Sequence, residues 1–429
     1  MARSSLRQAH WGVLSQGLNA GTNFLLSFLV ARSQPAAEFG RFALVLVLLI
    51  LAVALVRETG NTVLTIAHSG DRDGLCRGGR QSTGYAAGVG TLAAACCLVA
   101  AVPVTGAMRA VLVVLAVVFP FVLLQDALRG VSVAAGRPRS AAGLDALWAG
   151  VQIGLTAVVM AVSTQPPMWT FVAAWGAGAV VSALAGLRRR RLVPARALPH
   201  RWLLRHRALT VPLLGAYALN TLPPQIVMLA MPLVSDFTET GVLRAAYLLF
   251  GPIATLFASV YALAMVDAVR AGTPAATVRV AGFVSAALGG IGALWCVLAV
   301  LLPSSAGRLL MGSTWELTGS TRLLLGISLV AEGVVYGAMT AMGALRRPGR
   351  MVRARLVAAP VLLVLALAGG ALAGAEGAAA GLLSGHALCA ALAWAQVPGA
   401  ARQADRDDAA GVAAGTDEPA GRAGPLPER

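Results

Sequence analysis

The stretch PMWTFVAAWGAGAVVSALAGL at 167–187, followed at once by RRRRLVPARALPHRWLLRHRA at 188–208, decides the fold class. Crossing the hydrocarbon core of a bilayer takes about 20 mostly apolar residues in a helix, and the first part supplies them. The second opens on four arginines, which are costly at bilayer depth and therefore end the span. Runs of the same kind lie on both sides. Before the basic stretch they are 11–31, 42–66, 83–104, 108–128, 142–163 and 167–187. After it they are 209–233, 243–266, 280–303, 323–345, 356–375 and 377–397. Backbone groups facing lipid must be satisfied within the protein, so the runs are read as helices. No alternation of polar and apolar residues suggests a barrel instead. The expected fold is an all-α integral membrane protein of about twelve transmembrane helices.

Composition agrees. Of the 429 residues, 58% are hydrophobic and 12% charged. Soluble domains carry about 25% charged residues. The formal net charge is +16, which in a soluble chain would suggest nucleic acid. Here the basic residues sit in short loops between apolar runs, and no nucleic-acid partner is expected. With the N-terminus on the linker side, 23 of the 34 basic residues, all arginine, fall on that side. Six fall opposite: Arg32, Arg41, Arg109, Arg244, Arg308 and Arg322. The positive-inside rule then places the linker and both termini in the cytoplasm, with a bacterial plasma membrane as the setting. The five cysteines form no CxxC pair, so neither a disulfide framework nor a metal site is expected. The first run carries Gln16, Asn19 and Asn23 and does not read as a cleavable signal peptide.

The two halves echo each other. Leu18-Asn19 returns 201 residues later as Leu219-Asn220, and at the same offset Glu38-Phe39-Gly40 meets Glu239-Thr240-Gly241. With six spans per half, both halves enter from the same side. This implies a parallel repeat about a pseudo-two-fold axis along the membrane normal. The chain divides into a six-helix lobe at 1–187, a basic cytoplasmic linker at 188–208, a second six-helix lobe at 209–398 and a disordered cytoplasmic tail at 399–429. The first span of each lobe is expected to be interrupted: by Gly17 to Asn23 in span 1, and by Pro223 and Pro224, between Asn220 and Gln225, in span 7. Interrupted helices at matching places point to a central transport site, with Asn19, Asn23, Asn220 and Gln225 as cavity candidates.

Ionisable residues at bilayer depth normally face a wet cavity or a partner. Arg57 and Glu58 lie in span 2, with Asn61 one turn on. They point about 100° apart and can serve different partners. Arg57 is the candidate for an anionic headgroup, and Glu58 for its counter-ion or a proton carrier. Glu332 stands in span 10 with Tyr336 one turn later, and as a lone carboxylate it is the coupling candidate. Asp126, Arg129 and Asp145 cluster where spans 4 and 5 meet the cytoplasm and are read as a cytoplasmic gate. His386 and Asp267 read as structural groups.

Three stretches carry a resemblance. Gln16 to Arg41 ends in Pro35-Ala36-Ala37-Glu38-Phe39-Gly40-Arg41; 125–152 reads QDALRGVSVAAGRPRSAAGLDALWAGVQ; span 7 into span 8 repeats the asparagine-then-Glu-x-Gly layout. Together they resemble the bacterial polysaccharide transporter family. These are the lipid-linked oligosaccharide flippases of the multidrug/oligosaccharidyl-lipid/polysaccharide exporter superfamily. The resemblance implies two lobes around a cavity that opens alternately to each side, and a flippase for an undecaprenyl-pyrophosphate-linked glycan or similar precursor. Membrane lipid, the glycan substrate and polysaccharide biosynthesis proteins would be its partners, and it needs no cofactor.

A multidrug exporter on the same architecture is the alternative. A cation-drug antiporter should carry an acid in span 1 or 7, and neither has one. A membrane glycosyltransferase needs a sizeable external loop with carboxylates. The longest such loop, 302–322, has Glu316 alone, so no enzyme is expected. A non-transporting scaffold with the tail as bait stays open. With no GxxxxGK loop and no lysine, ATP-driven transport by this chain alone is not expected.

Overall fold

The apolar runs become helices in the computed structural model of the chain, which describes residues 2–68, 72–190, 192–195 and 199–415; no strand occurs among them. In the first half are α1 (Ala2–Ser33) and α2 (Ala36–Val56), the latter continuing through a π-helical turn (Arg57–Thr62) into α3 (Val63–His68). Then come α4 (Arg72–Ala101), α5 (Gly106–Ala134), α6 (Pro138–Val162) and α7 (Met168–Arg190). The linker holds α8 (Pro199–Arg205). The second half has α9 (Arg207–Asn220), α10 (Leu222–Val234), α11 (Phe237–Arg270) and α12 (Pro274–Leu301). The short α13 (Ser304–Met311) and α14 (Thr314–Leu317) lead to α15 (Gly319–Ala344) and α16 (Pro348–Gly415).

Nine helices among the described residues are long and apolar enough to cross a membrane, or ten if the bent pair α9–α10 is one span. Eleven of the twelve runs nevertheless lie largely within one continuous helix, and the other, 209–233, is divided between α9 and α10. Two of them share α16. Its backbone leaves the helix at Ala373 and at Gly374, whose φ of 56° suits glycine. The arms 348–372 and 375–415 then run antiparallel, with Gly369 against Gly377, Ala366 against Gly381 and Leu362 against Gly385. The second arm continues past Pro398 to Gly415, where an unstructured tail is expected from residue 399. Ala400, Ala401 and Ala404 favour helix. Arg347 pairs with Asp407, and Arg350 donates to the Gly399 carbonyl and to Gln403, both at 3.2 Å, which ties the extension to the first turn of α16 and the residue before it. Residues 416–429 lie outside the described residues.

The expected interruption of span 1 does not occur, because α1 is continuous. No proline removes a donor there. Thr22 Oγ1 and Asn23 Nδ2 bond the Asn19 carbonyl at 2.9 and 2.8 Å, so their polar groups are satisfied along the helix itself. Span 7 does break. α9 and α10 meet at Thr221 with a bend of 54°, and Pro223 and Pro224 occupy the first turn of α10, where a missing N–H costs nothing.

The helices form two groups. α1, α2 and α4–α7 pack on one another, as do α10, α11, α12, α15 and α16. The groups meet chiefly through α2 and α11, at the end of the bundle opposite the linker. A Cβ on Gly40 would run into the Phe237 carbonyl, and one on Gly241 into the Ala36 carbonyl. The contact is reciprocal at an offset of 201 residues, the one that aligns the two halves. Such self-complementarity is the mark of a two-fold axis. The small residues let two backbones touch, as in membrane helix pairs generally.

Candidate functional site

A cavity of about 200 Å³ lies among α1, α2, α5, α6, α7 and α11. Its far wall is apolar, from Leu46, Leu49 and Val53 on α2. Asn19 and Asn23 from α1, Arg57, Gln125 and Asp126 from α5, and Arg244 from α11 supply the polar groups. Trp148 and Trp175, with ring centroids 5.3 Å apart, close one side. Trp175 Nε1 donates to Asn23 Oδ1 at 3.2 Å, which orients the amide.

The π-turn governs how α2 reaches this cavity. Widened turns of this kind recur at functional sites because they re-aim side chains. Here the turn brings both Arg57 and Asn61 to Asp126. Arg57 Nε and Nη2 lie 2.8 and 2.7 Å from Asp126 Oδ1, and Asn61 Nδ2 donates to Oδ2 at 3.0 Å. Arg129, one turn on from Asp126, adds a longer contact at 3.4 Å. Arg57 Nη2 also reaches Asn19 Oδ1 at 3.4 Å. Asp126 is therefore saturated: 2% exposed and met by two guanidinium groups and an amide. The other buried carboxylate, Asp145, accepts from Ser15 Oγ and, at 3.0 Å, from Gln125 Nε2.

Asp126, Arg129 and Asp145 thus belong to the interior of the first helix group, and Asp126 lines the cavity. Their hydrogen-bond and ion-pair partners, Ser15, Arg57, Asn61 and Gln125, all come from that group, so none of these contacts joins the two groups. Glu58 lines none of the cavities described and makes no hydrogen bond or ion pair among the described residues. Asn220, Pro223 and Pro224 line a separate cavity of about 50 Å³, with Arg355 and His386. Gln225 is half-buried and lines neither. Glu332 faces a third cavity of about 80 Å³ with Tyr247, Ser328 and His386. His386 Nδ1 lies 2.7 Å from Ser328 Oγ and touches both small cavities. Asp267 is exposed. Among the described residues no cluster could hold a metal ion.

Arg244 is the residue that sequence reasoning missed. It was assigned to a loop, yet it lies two turns inside α11. Its Nε is buried without a partner, and no hydrogen bond or ion pair to its guanidinium occurs among the described residues. Trp148 Nε1 is likewise a buried donor without an acceptor. The only available signal was Leu243-Arg244-Ala245-Ala246, an arginine followed by an unbroken apolar run.

No family model matches the sequence, and no curated protein does. Solved structures do match, and they define the fold as that of the MATE transporters of the MOP superfamily. An inward-facing multidrug resistance MATE family transporter aligns with a TM-score of 0.68 at 13% identity, covering 91% of this chain and 96% of that one. An outward-facing form of such a transporter aligns at 0.56 and 12% identity, covering 94% and 96%. A MOP superfamily transporter from Pyrococcus furiosus, described as having a binding pocket of reverse polarity that suggests a different function, aligns at 0.59 and 13%, covering 94% and 96%. The chain is accordingly a multi-pass membrane protein with the same two-lobe fold as those proteins.

Proposed function

We propose that this chain is a membrane exporter that works by alternating access of its two lobes, not an enzyme, and that its substrate is an amphipathic anion held in the cavity beside Arg57. Likeness to both inward- and outward-facing transporters supports alternating access. Neighbours described as multidrug transporters favour an exporter of small amphipathic molecules over the lipid-linked oligosaccharide flippase. The observation that carries the charge assignment is Arg244. Both carboxylates near the cavity are already saturated, so a cationic drug would find no free acid. An anion would find the unpartnered guanidinium of Arg244, the Asp126-paired guanidinium of Arg57 beside it, and an indole N–H. Arginine suits carboxylate and phosphate because its fork donates two parallel bonds. The pocket described as reversed in the Pyrococcus furiosus transporter supports such variation on this fold.

The lipid-linked glycan remains a second reading, favoured by the same two arginines, since a polyprenyl pyrophosphate is an amphipathic anion. A cavity of about 200 Å³ holds a diphosphate and leaves the glycan and polyprenyl chain outside. Glu332, with the His386–Ser328 pair beside it, is the proposed coupling group, and the bacterial plasma membrane with cytoplasmic termini the proposed setting. The test is uptake into proteoliposomes of radiolabelled farnesyl diphosphate against ethidium. Farnesyl diphosphate should be carried and Arg244→Gln should abolish it. Transport of ethidium alone, indifferent to Arg244→Gln, would return the chain to the cationic drug exporters.

A further inference from the structure

The linker between the lobes is not a free tether. Ala195 N donates to the Arg80 carbonyl at 2.8 Å, and Arg80 Nε donates to the Val193 carbonyl at 3.1 Å, so this part of the linker runs pinned along α4. Gly84 makes room: a Cβ there would strike the Ala195 carbonyl. α8 then packs on α4, with Trp202 only 3% exposed. The Trp202 ring stacks on Tyr85 at 6.4 Å and lies 4.1 Å from the His206 ring.

Trp202 Nε1 donates to the backbone carbonyl of Thr59 at 2.8 Å. Thr59 is the third residue of the π-turn that presents Arg57 and Asn61 to Asp126. Its hydroxyl is also engaged, 2.7 Å from the Tyr85 hydroxyl. Inserted groups that bond the ladder from outside are a recognised cause of such local widening. α8 ends at Arg205 and α9, the first helix of the second lobe, begins at Arg207. One non-helical residue, His206, joins α8 to α9, and α9 packs both on the π-turn and on α10 and α16 of the second group.

We propose that Trp202 is a positioning residue for the Arg57 site: its indole N–H holds the π-turn, so that motion of the second lobe about the α8–α9 joint is transmitted to Arg57. This rests on the reading of the cavity beside Arg57 as the substrate site. The joint lies next to the residue that grips the turn, and the turn carries two of the three side chains on Asp126. A rocking of the second lobe that pulls α8 therefore loosens Arg57 from Asp126 and changes what the cavity offers an anion.

The test uses Trp202→Phe, which keeps an aromatic ring against Tyr85 and deletes only the N–H. Full-length protein in nanodiscs is read in two ways. Amide hydrogen exchange should speed up at residues 57–63 and stay unchanged along α11. Discrimination between farnesyl diphosphate and uncharged farnesol, as the ratio of their Kd values, should fall about tenfold with farnesol binding unaltered, since about 1.4 kcal/mol of charge-assisted bonding is a factor of ten. A merely structural tryptophan would weaken both probes alike. Unchanged exchange at 57–63, or unchanged discrimination where Arg57→Ala abolishes it, overturns the role given to Trp202. If Arg57→Ala itself leaves discrimination intact, the cavity reading has failed first, and the role of Trp202 falls with it.

Discussion

At the scale of single residues, Arg57 and Arg244 differ in what holds them. Arg57 pairs with the buried Asp126 but keeps about a third of its own side chain exposed. Its loss leaves Asp126 with Asn61 and the longer Arg129 contact, so the cost stays below the roughly 3–5 kcal/mol of a fully stranded buried charge. Arg57→Ala should therefore lower the melting temperature as well as transport. Arg57→Ala with Asp126→Asn should restore the melting temperature and leave transport lost. Thermal unfolding in detergent beside proteoliposome uptake separates the two effects, and recovery of transport in the double variant would remove Arg57 from the substrate site. Arg244 has no partner to strand. Its replacement by glutamine should leave the melting temperature level or raise it, because an unpartnered buried charge is a stability cost kept for function. Arg57 was legible in the sequence because it interrupts an apolar run. Its partner was not: Asp126 lies 69 residues away, and only the packing of α2 on α5 joins them.

At the scale of elements, twelve runs of hydrophobicity located the helices, since lipid imposes one length and one hydrogen-bonding solution on every span. What hydropathy does not encode is where a helix bends. Gly17 to Asn23 was expected to break α1 and does not, whereas Arg57 to Thr62 forms a π-turn that nothing in RETGNT announces. The residues that stabilise the turn, Tyr85 and Trp202, come from other elements. The hairpin turn of α16 is local by contrast, and it rests on one glycine. Gly374 has φ 56° and ψ −138°, a region essentially closed to other residues, and a Cβ there would also press on the Glu239 carboxylate, which accepts the Ala375 N–H. Gly374→Ala should cost about 1–3 kcal/mol from backbone strain alone. A thermal shift experiment checks it, and an unshifted midpoint would mean that the arms can turn another way.

At the scale of the whole molecule, the repeat becomes mechanics. Gly40 and Gly241 were matched in the sequence as equivalent positions, and the fold sets them against each other across the pseudo-two-fold axis. Each backbone fills the space where the other's side chain would stand, and that contact lies at the end opposite the linker. The alternating access proposed for this chain requires this end to open while the linker end closes. A side chain at either glycine meets backbone, which cannot move aside alone, so the wedge bears on the lobes as bodies. Gly40→Leu and Gly241→Leu should each shift the population towards the form open at that end, and by symmetry to a similar degree. Moving a two-state equilibrium from 1:99 to 99:1 takes about 5.5 kcal/mol, so each single variant should displace it in part and the double variant further. Spin labels at Ser33 and Ser235, on the two lobes at that end, report the separation as a distance distribution. Equal lengthening in both single variants is the expected result. Lengthening in one alone would break the equivalence of the halves, and no lengthening in either would mean that the lobes part somewhere other than at this contact.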